Sequence, residues 1–291
     1  MATAGNRTGM IVSTRDSQAV AAALAAETGE SLAETTYEQF PDGERLVEVP
    51  PVEGRAVVVG STVSSDAHLD LLLLQDAVRE AGANEVVTVL PYMGYARQDR
   101  AFAEGQPVSA RAVARAISSG TDRVVAVNLH EPAVADFFDV PVDHVDAAGV
   151  LADPLPTDLA SPVFLSPDEG AIDLAETARD AFGEGAVDYF EKERDYDTGA
   201  VAITPSEVDV TGRDVVVVDD IIATGSTMSE AIAILQERDP NRVFVATVHP
   251  LLVGNAQTKL ANAGVETVLG TDTIERAVSR TSVAPAIAEV L

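Results

Sequence analysis

The stretch best suited to chemistry lies in the last third of the chain. Val215 to Val218 have the composition of a strand buried in a parallel sheet, and Asp219 and Asp220 follow directly. Residues 223–227, ATGST, then open a helix whose N–H groups and dipole favour a phosphate. Adjacent carboxylates can bind sugar hydroxyls or a metal, so we predict a ribose 5-phosphate site. The alternative is an ordinary turn in which Thr227 only caps the helix.

A second candidate segment is PYMGYARQDR at residues 91–100. It follows a predicted strand, and open parallel sheets place their ligands beyond such strand ends. Arg97 and Arg100 can each bind a phosphate through two nitrogens, and Gln98 can recognise a base edge. The alternative is a surface cluster of Arg and Asp ion pairs.

The charge of the chain narrows its possible partners. A net charge of −28, from 47 acidic and 19 basic residues, excludes a general nucleic-acid surface, which needs clustered positive charge. Acidic residues spread along a chain of 46% hydrophobic content indicate a folded protein from a high-salt cytoplasm. Only two lysines remain, Lys192 and Lys259. Because lysine is so rare, we interpret Lys192, in the string EKERD, as functional rather than as part of an exposed ion pair.

Three other positions are candidates with structural alternatives. His130 follows a predicted strand and can bind a metal through a neutral imidazole nitrogen. Asp168 also follows a strand, where it suits a metal or hydroxyl ligand but also a helix cap. Residues 39–45, QFPDGER, form a turn that is by itself an ordinary acidic turn.

Several classes of protein are excluded by composition. The chain has no cysteine, so it has neither disulfides nor thiolate metal sites. Its apolar runs are far shorter than the ~20 residues of a membrane helix. We predict a soluble cytoplasmic protein that does not bind membranes.

The order of the predicted elements indicates an α/β fold with an internal repeat. A valine run leads into a Ser/Thr/Gly-rich loop at Val57 and again at Val215, and the helix and strand that follow are also similar, displaced by about 160 residues. We therefore predict two domains, residues 1–145 and 146–291, each a mainly parallel sheet flanked by helices. Helices are predicted at residues 17–28, 69–81, 109–118, 171–182, 228–238, 257–263 and 284–291.

Together these segments resemble the ribose-phosphate pyrophosphokinase family, the phosphoribosyl diphosphate synthases. The motifs that carry the resemblance are FPDGE at 40–44, PYMGYARQDR at 91–100, NLHEPAVADFFDVPVDH at 128–144, SPDEG at 166–170, KER at 192–194 and VVVVDDIIATGST at 215–227. The family implies two tandem phosphoribosyltransferase-like, or Rossmann-like, domains. It also implies transfer of the diphosphoryl group of MgATP to the C1 hydroxyl of ribose 5-phosphate.

The same resemblance implies roles for individual residues. The ATP-binding residues are Phe40, Asp42, Gly43, Glu44, Arg97 and Gln98. The ribose 5-phosphate-binding residues are Arg194, Asp219, Asp220, Ala223, Thr224, Gly225, Ser226 and Thr227. The catalytic cations are Lys192 and Arg194, and the Mg²⁺ ligands are His130 and Asp168. Asp42 and Glu44 reach the ATP of a neighbouring subunit, which implies a homo-oligomer, at least a dimer, with a composite ATP site.

The sequence departs from the family pattern at several positions. Asn128 stands where Asp is usual, which affects the expected support of His130. Ala223 and Ser226 replace an acidic or Ser residue and the second Gly of the phosphate loop, but they keep it small. A phosphoribosyltransferase and a non-catalytic regulatory homologue therefore stay as alternative functions.

Overall fold

The computed structural model describes residues 9–194, 201–204 and 208–291, with side chains for residues 9–190 and 208–291. The chain divides into two compact units. The first contains the residues up to Asp146, together with Thr273–Glu275 and Ser282–Leu291, and the second contains Ala147–Asp272 and Arg276–Thr281. The last residues of the chain therefore belong to the first unit. The sequence instead predicted that residues 146–291 form one continuous second domain.

The first unit is built on a six-stranded, wholly parallel sheet. Its elements are β1 (Met10–Ser13), α1 (Gln18–Thr28), β2 (Ser31–Leu32), β3 (Thr36–Gln39), β4 (Arg45–Glu48), β5 (Gly54–Val59), α2 (Ser65–Glu80), β6 (Ala83–Leu90), α3 (Ser109–Ser118), β7 (Arg123–Val127) and β8 (Val142–Val145). The strand order is β2-β1-β5-β6-β7-β8, and β3 and β4 form a separate antiparallel hairpin.

The second unit repeats this arrangement. Its elements are β9 (Val163–Ser166), α4 (Ile172–Phe182), β10 (Ala186–Tyr189), β11 (Glu191–Arg194), β12 (Val201–Thr204), β13 (Asp214–Ile221), α5 (Ser226–Gln236), β14 (Arg242–His249), α6 (Ala256–Asn262), β15 (Thr267–Thr271) and β16 (Ser279–Thr281). The strand order is β10-β9-β13-β14-β15-β16. The β11–β12 hairpin comes directly before β13 in the chain, as the β3–β4 hairpin comes directly before β5. The final helix, α7 (Ala284–Ala288), belongs to the first unit.

Continuous apolar strands explain the buried sheets. The central strands β5 and β13 carry valine runs, and Val57, Val58 and Val215 to Val218 are completely buried. Strands covered on both faces need apolar residues at successive positions rather than at alternate ones. The predicted fold class, two repeated α/β units with mainly parallel sheets, is confirmed.

An ion pair between a buried aspartate and a partly exposed arginine fixes the beginning of β13. The fully buried carboxylate of Asp214 accepts bonds from Arg242 Nη2 at 2.6 Å, from the Ala160 N–H at 2.7 Å and from Asn241 Nδ2 at 2.7 Å. Burial raises the pKa of Asp214, but these donors outweigh burial and hold that pKa below its ordinary value. The ion pair therefore contributes stability above the ordinary aspartate pKa, and the contribution is lost as the pH falls through the lowered pKa.

We expect Asp214→Ala to lower the free energy of unfolding by about 3 kcal/mol at neutral pH, because Arg242, the Ala160 N–H and Asn241 all lose their buried acceptor. Chemical denaturation at constant salt measures this loss, with the exposed Glu237→Ala as the control. The difference between Asp214→Ala and the wild type should shrink on acidification. Equal stability of the two proteins at neutral pH would contradict the assignment.

Candidate active site

The acidic stretch lies at the carboxyl end of β13, next to the point where the strand order reverses. Strands β9 and β13 are neighbours in the sheet, and they lead to Asp168 on one side and to Asp219 and Asp220 on the other. Open α/β sheets bind their ligands in the crevice at such a reversal. The structure thus brings together three of the predicted site residues within the second unit.

These carboxylates influence one another electrostatically. Asp219 is half-buried, and its pKa is raised well above the ordinary value by burial and by the neighbouring charges of Asp220 and Asp168. The Asp219 Oδ1 atom accepts the Asp220 N–H at 2.9 Å, and Asp220 Oδ1 accepts the Ile221 N–H at 2.7 Å. A site that holds negative charge so closely favours ligands that donate hydrogen bonds or carry positive charge.

The loop after β13 has the geometry expected of a phosphate site. Gly225 is the N-cap of α5 with φ of 70°, a left-handed conformation that suits glycine, and helix α5 begins at Ser226. The alternative in which Thr227 caps the helix is wrong, because Thr227 already lies within the first turn. The loop also packs against α6, since a Cβ atom on Gly225 would lie 3.4 Å from Ala256.

One residue of this loop region was not singled out from the sequence. Lys259, on α6, donates a hydrogen bond from Nζ to Ser226 Oγ at 2.7 Å. The scarcity of lysine that drew attention to Lys192 applies equally to Lys259 and could have identified it.

The predicted catalytic cations lie on the second hairpin. Lys192 and Arg194 belong to β11, which pairs with β12 in an antiparallel register that sets Lys192 opposite Ile203. Their side chains lie outside the described part of the structure. Their roles stay predictions.

The FPDGE segment forms the tip of the β3–β4 hairpin. The Phe40 N–H donates to the Glu44 carbonyl at 2.8 Å, and the Glu44 N–H donates to Asp42 Oδ1 at 3.1 Å. The ring of Phe40 is 39% exposed, and the neighbouring acidic residues are exposed as well. The hairpin therefore presents an aromatic ring and two carboxylates to solvent, which fits the predicted contact with a nucleotide.

An ion pair that the sequence did not reveal anchors this hairpin. Arg45, at the start of β4, donates from Nε and Nη2 to both carboxylate oxygens of Asp70 on α2, at 2.5 and 2.6 Å. Both side chains are more than nine-tenths buried. Asp66 also accepts from Arg45 Nη1 at 3.3 Å. A bidentate pair of this kind fixes the orientation of the hairpin relative to α2.

The family resemblance implies that the hairpin tip binds ATP, so loosening this anchor should weaken the use of ATP. We expect Arg45→Met to raise the KM for ATP by about three- to tenfold, because the hairpin tip is then less well positioned. The KM for ribose 5-phosphate should stay within about twofold, and Asp70→Asn combined with Arg45→Met should add little. Steady-state kinetics with the exposed Glu48→Gln as a control measures the effect. An unchanged KM for ATP would show that the anchor has no part in nucleotide binding.

The Arg97 segment lines a cavity of 470 Å³ together with Tyr95, Gln98 and Phe102. Arg97 is exposed, and the rings of Tyr95 and Phe102 are 50% and 60% exposed. The side-chain amide of Gln98 donates to the Pro107 carbonyl at 3.1 Å and accepts the Ser109 hydroxyl at 2.5 Å. In this structure Gln98 therefore holds the segment that leads to α3, and its contact with a base stays a prediction.

His130 lies on the exposed loop after β7. Two contacts support the backbone before it. Asn128, which has φ of 38°, donates from its side-chain amide to Asp146 at 2.8 Å, and the Leu129 N–H donates to His144 Nε2 at 3.1 Å. Burial lowers the pKa of His144, which favours the neutral ring that this acceptor role requires. Asn128, which stands where the family pattern has Asp, is thus accommodated because the Asp146 carboxylate accepts a hydrogen bond from its amide.

Asp168 suits a magnesium ion that is held mainly by substrate, and its joint role with His130 stays a prediction. In the part of the chain that the structure describes, no three His, Asp or Glu side chains are grouped as a metal site. Mg²⁺ commonly binds one or two protein ligands, substrate phosphates and water. The carboxylate of Asp168, whose charge helps to raise the Asp219 pKa, supplies the hard oxygen donor that such an ion prefers.

Two models of known protein domains match successive parts of the chain. A model of the N-terminal domain of ribose phosphate pyrophosphokinase matches residues 9–120, and a phosphoribosyl transferase domain model matches residues 151–284. The chain is 65% identical to ribose-phosphate pyrophosphokinase from Halobacterium salinarum, over 97% of this chain and 100% of that protein. It belongs to the ribose-phosphate pyrophosphokinase family.

Other relatives agree with this assignment. Ribose-phosphate pyrophosphokinase from Methanopyrus kandleri is 41% identical over 97% of this chain and 98% of its own length. The crystal structure of phosphoribosylpyrophosphate synthetase from Mycobacterium smegmatis matches with a TM-score of 0.81 at 28% identity, over 97% of both chains. The chain is therefore an enzyme of this family, and its acidic composition accords with the Halobacterium relative. Among the described residues, the helices are too short or too polar to cross a membrane.

Proposed function

We propose that this enzyme transfers the diphosphoryl group of ATP to the C1 hydroxyl of ribose 5-phosphate, which yields 5-phosphoribosyl 1-diphosphate and AMP. The observation that carries the proposal is the set of Asp168, Asp219 and Asp220 beside the N-terminus of α5 at the reversal of strand order. This arrangement offers hydrogen-bond acceptors for a sugar and N–H donors for its phosphate at one place. Family membership supplies the reaction that such a site serves.

The acceptor half of the reaction belongs to the second unit. Asp219 and Asp220 accept hydrogen bonds from the ribose hydroxyls, and the N–H groups of residues 223–227 bind the 5-phosphate at the start of α5. The hydroxyls of Thr224 and Thr227 are exposed at the loop and add donors. The C1 hydroxyl is left as the nucleophile that attacks the β-phosphorus of ATP.

The donor half uses groups of the first unit. We assign the adenine ring to Phe40, the ribose and phosphates to Asp42, Gly43 and Glu44 at the hairpin tip, and the nucleotide further to Arg97 and Gln98. The exposed rings and the guanidinium around the 470 Å³ cavity support this assignment. Because the family places the hairpin tip at a neighbouring subunit's ATP, we propose a homo-oligomer, at least a dimer, with a composite ATP site.

Diphosphoryl transfer depends more on positioning and charge neutralisation than on a strong base. Lys192 and Arg194 neutralise the charge that develops on the transferred group, and Arg97 adds to this neutralisation. Asp168 and His130 are the residues that would hold Mg²⁺. When bound, the ion would neutralise the phosphate oxygens and orient them.

A product assay tests the proposal. In high salt, AMP formation from ATP should require both ribose 5-phosphate and Mg²⁺, and a chelator should stop it. A phosphoribosyltransferase would instead consume phosphoribosyl diphosphate together with a free base. A regulatory homologue would bind nucleotide without forming AMP. The cytoplasmic location predicted from the sequence stays a prediction.

A further inference from the structure

Lys259 lies next to the predicted phosphate loop, although it is 33 residues away from that loop in the sequence. It lies on α6, and its half-buried side chain reaches the first residue of α5, where Nζ donates to Ser226 Oγ at 2.7 Å. The packing of Ala256, one turn earlier on α6, against Gly225 holds the two segments together. The ammonium is thereby fixed at the loop that receives the 5-phosphate under the proposed function.

The negative charge around the loop makes a cation at this position important for binding a phosphate. The acceptor site contains Asp168, Asp219 and Asp220, whose negative charges oppose the binding of a dianionic sugar phosphate. The chain as a whole carries a net charge of −28. A cation beside the phosphate loop offsets this repulsion at the point where the phosphate binds. Lys259 is a basic side chain whose nitrogen contacts that loop directly.

It is also informative that the residue at position 259 is a lysine rather than an arginine. Arginine supplies 17 of the 19 basic residues, so the usual cation of this chain is arginine. An ammonium is a compact charge with three donors, and one of them suffices for the Ser226 hydroxyl. A structural tie between the helices alone would need only a neutral donor.

We infer that Lys259 is a specificity-determining residue of the acceptor site, where its ammonium binds the 5-phosphate together with the N–H groups of residues 223–227. The inference rests on the proposed function, because it assigns the phosphate of ribose 5-phosphate to this loop. Ser226 holds the ammonium in position before the substrate arrives. The residue thereby selects for a phosphorylated sugar.

The experiment compares Lys259→Met and Lys259→Arg with the wild type in steady-state kinetics and in calorimetric binding of ribose 5-phosphate, all at one salt concentration. The control, Arg280→Gln, removes the charge of an exposed side chain on β16, which lies three strands from β13 in the sheet, or roughly 14 Å away. We expect Lys259→Met to raise both the KM and the Kd for ribose 5-phosphate at least about tenfold. The KM for ATP should stay within about twofold, and Arg280→Gln should match the wild type.

Lys259→Arg separates charge from packing, because it should keep the Kd for ribose 5-phosphate within about threefold of the wild-type value if charge is what matters. An unchanged Kd in Lys259→Met would overturn the inference. Lys259→Gln replaces Lys259→Met if the latter does not fold. Wild-type enzyme that forms no AMP would overturn the proposed function instead, while calorimetry with ribose 5-phosphate would still test Lys259.

Discussion

Replacing Asp219 with asparagine should lower the rate of ribose 5-phosphate-dependent AMP formation by at least about 100-fold, and it should raise the stability of the ligand-free enzyme. The activity falls because an amide cannot accept the same hydrogen bonds from the ribose hydroxyls and carries no charge to complement a bound cation. The stability rises because the amide removes a charge that the folded chain holds unfavourably.

The sign of the stability change follows from the Asp219 pKa. Burial, Asp220 and Asp168 raise that pKa, so the folded protein disfavours the carboxylate relative to the unfolded chain. Stability is therefore lost as the pH rises from the ordinary aspartate value through the raised one. Asp219→Asn lacks this loss, and its Tm should exceed that of the wild type at neutral pH. The two Tm values should converge under acidic conditions.

Thermal melts at several pH values, together with the activity assay, measure both effects in the same protein. Glu230→Gln, an exposed carboxylate on α5, is the control and should change neither quantity. A Tm for Asp219→Asn below that of the wild type at neutral pH would contradict the electrostatic account of the site. Retention of more than about a tenth of the activity would remove Asp219 from the proposed ribose contacts.

Replacing Lys192 with alanine should lower kcat by about 1,000-fold, with little change in the KM for ribose 5-phosphate. A cation that neutralises charge on the transferred group acts more strongly in the transition state than in the bound substrates. Lys192→Arg should recover part of the loss, because it restores the charge but not the geometry.

Single-turnover measurement of AMP with saturating ATP separates this chemical step from product release. Glu193→Gln, the next residue on β11, serves as the matched control and should leave the rate within a few fold of the wild type. Lys192→Ala activity within about tenfold of the wild type would show that this lysine is not part of the catalytic machinery.

Much of the fold was predictable because it follows from runs of apolar residues. The valine runs at Val57 and Val215 predicted a repeat, and they became β5 and β13, which hold the same position in two sheets of identical strand order. Helix α3 has the predicted bounds. Helix α2 begins at Ser65 rather than at Leu69, since Ser64 caps it by accepting the Ala67 N–H at 3.1 Å.

The short edge strands were missed for a physical reason. Strands β2, β8, β10 and β16 have two to four residues each, and most of these residues are only partly buried or exposed. Their conformation is set by pairing with a neighbouring strand, which a local pattern does not encode. The hairpin at residues 36–48 was predicted only as a turn, because the pairing of Arg45 with Asp70 links positions 25 residues apart.

The candidate site was predictable where residue types reveal chemistry, as at Asp219, Asp220 and residues 223–227. Gly225, not Thr227, caps α5, because the chain turns there through a left-handed conformation. Lys259 reaches the loop only through the packing of α6, so composition could mark it as unusual but could not locate it. In the first unit, the polar groups of the corresponding loop are already hydrogen-bonded within the protein: the buried Ser61 donates its N–H to Ser17 Oγ at 2.8 Å and its hydroxyl to the Thr273 carbonyl at 2.5 Å.

The most direct test of the account is to follow the fate of the β-phosphorus of ATP. ATP labelled in its β-phosphate is incubated with the enzyme, Mg²⁺ and ribose 5-phosphate in high salt, and the products are separated. The account predicts that the label appears in 5-phosphoribosyl 1-diphosphate in equal amount to the AMP formed, and that neither product forms without ribose 5-phosphate. Label that stays in ADP, or AMP that forms without ribose 5-phosphate, would contradict it.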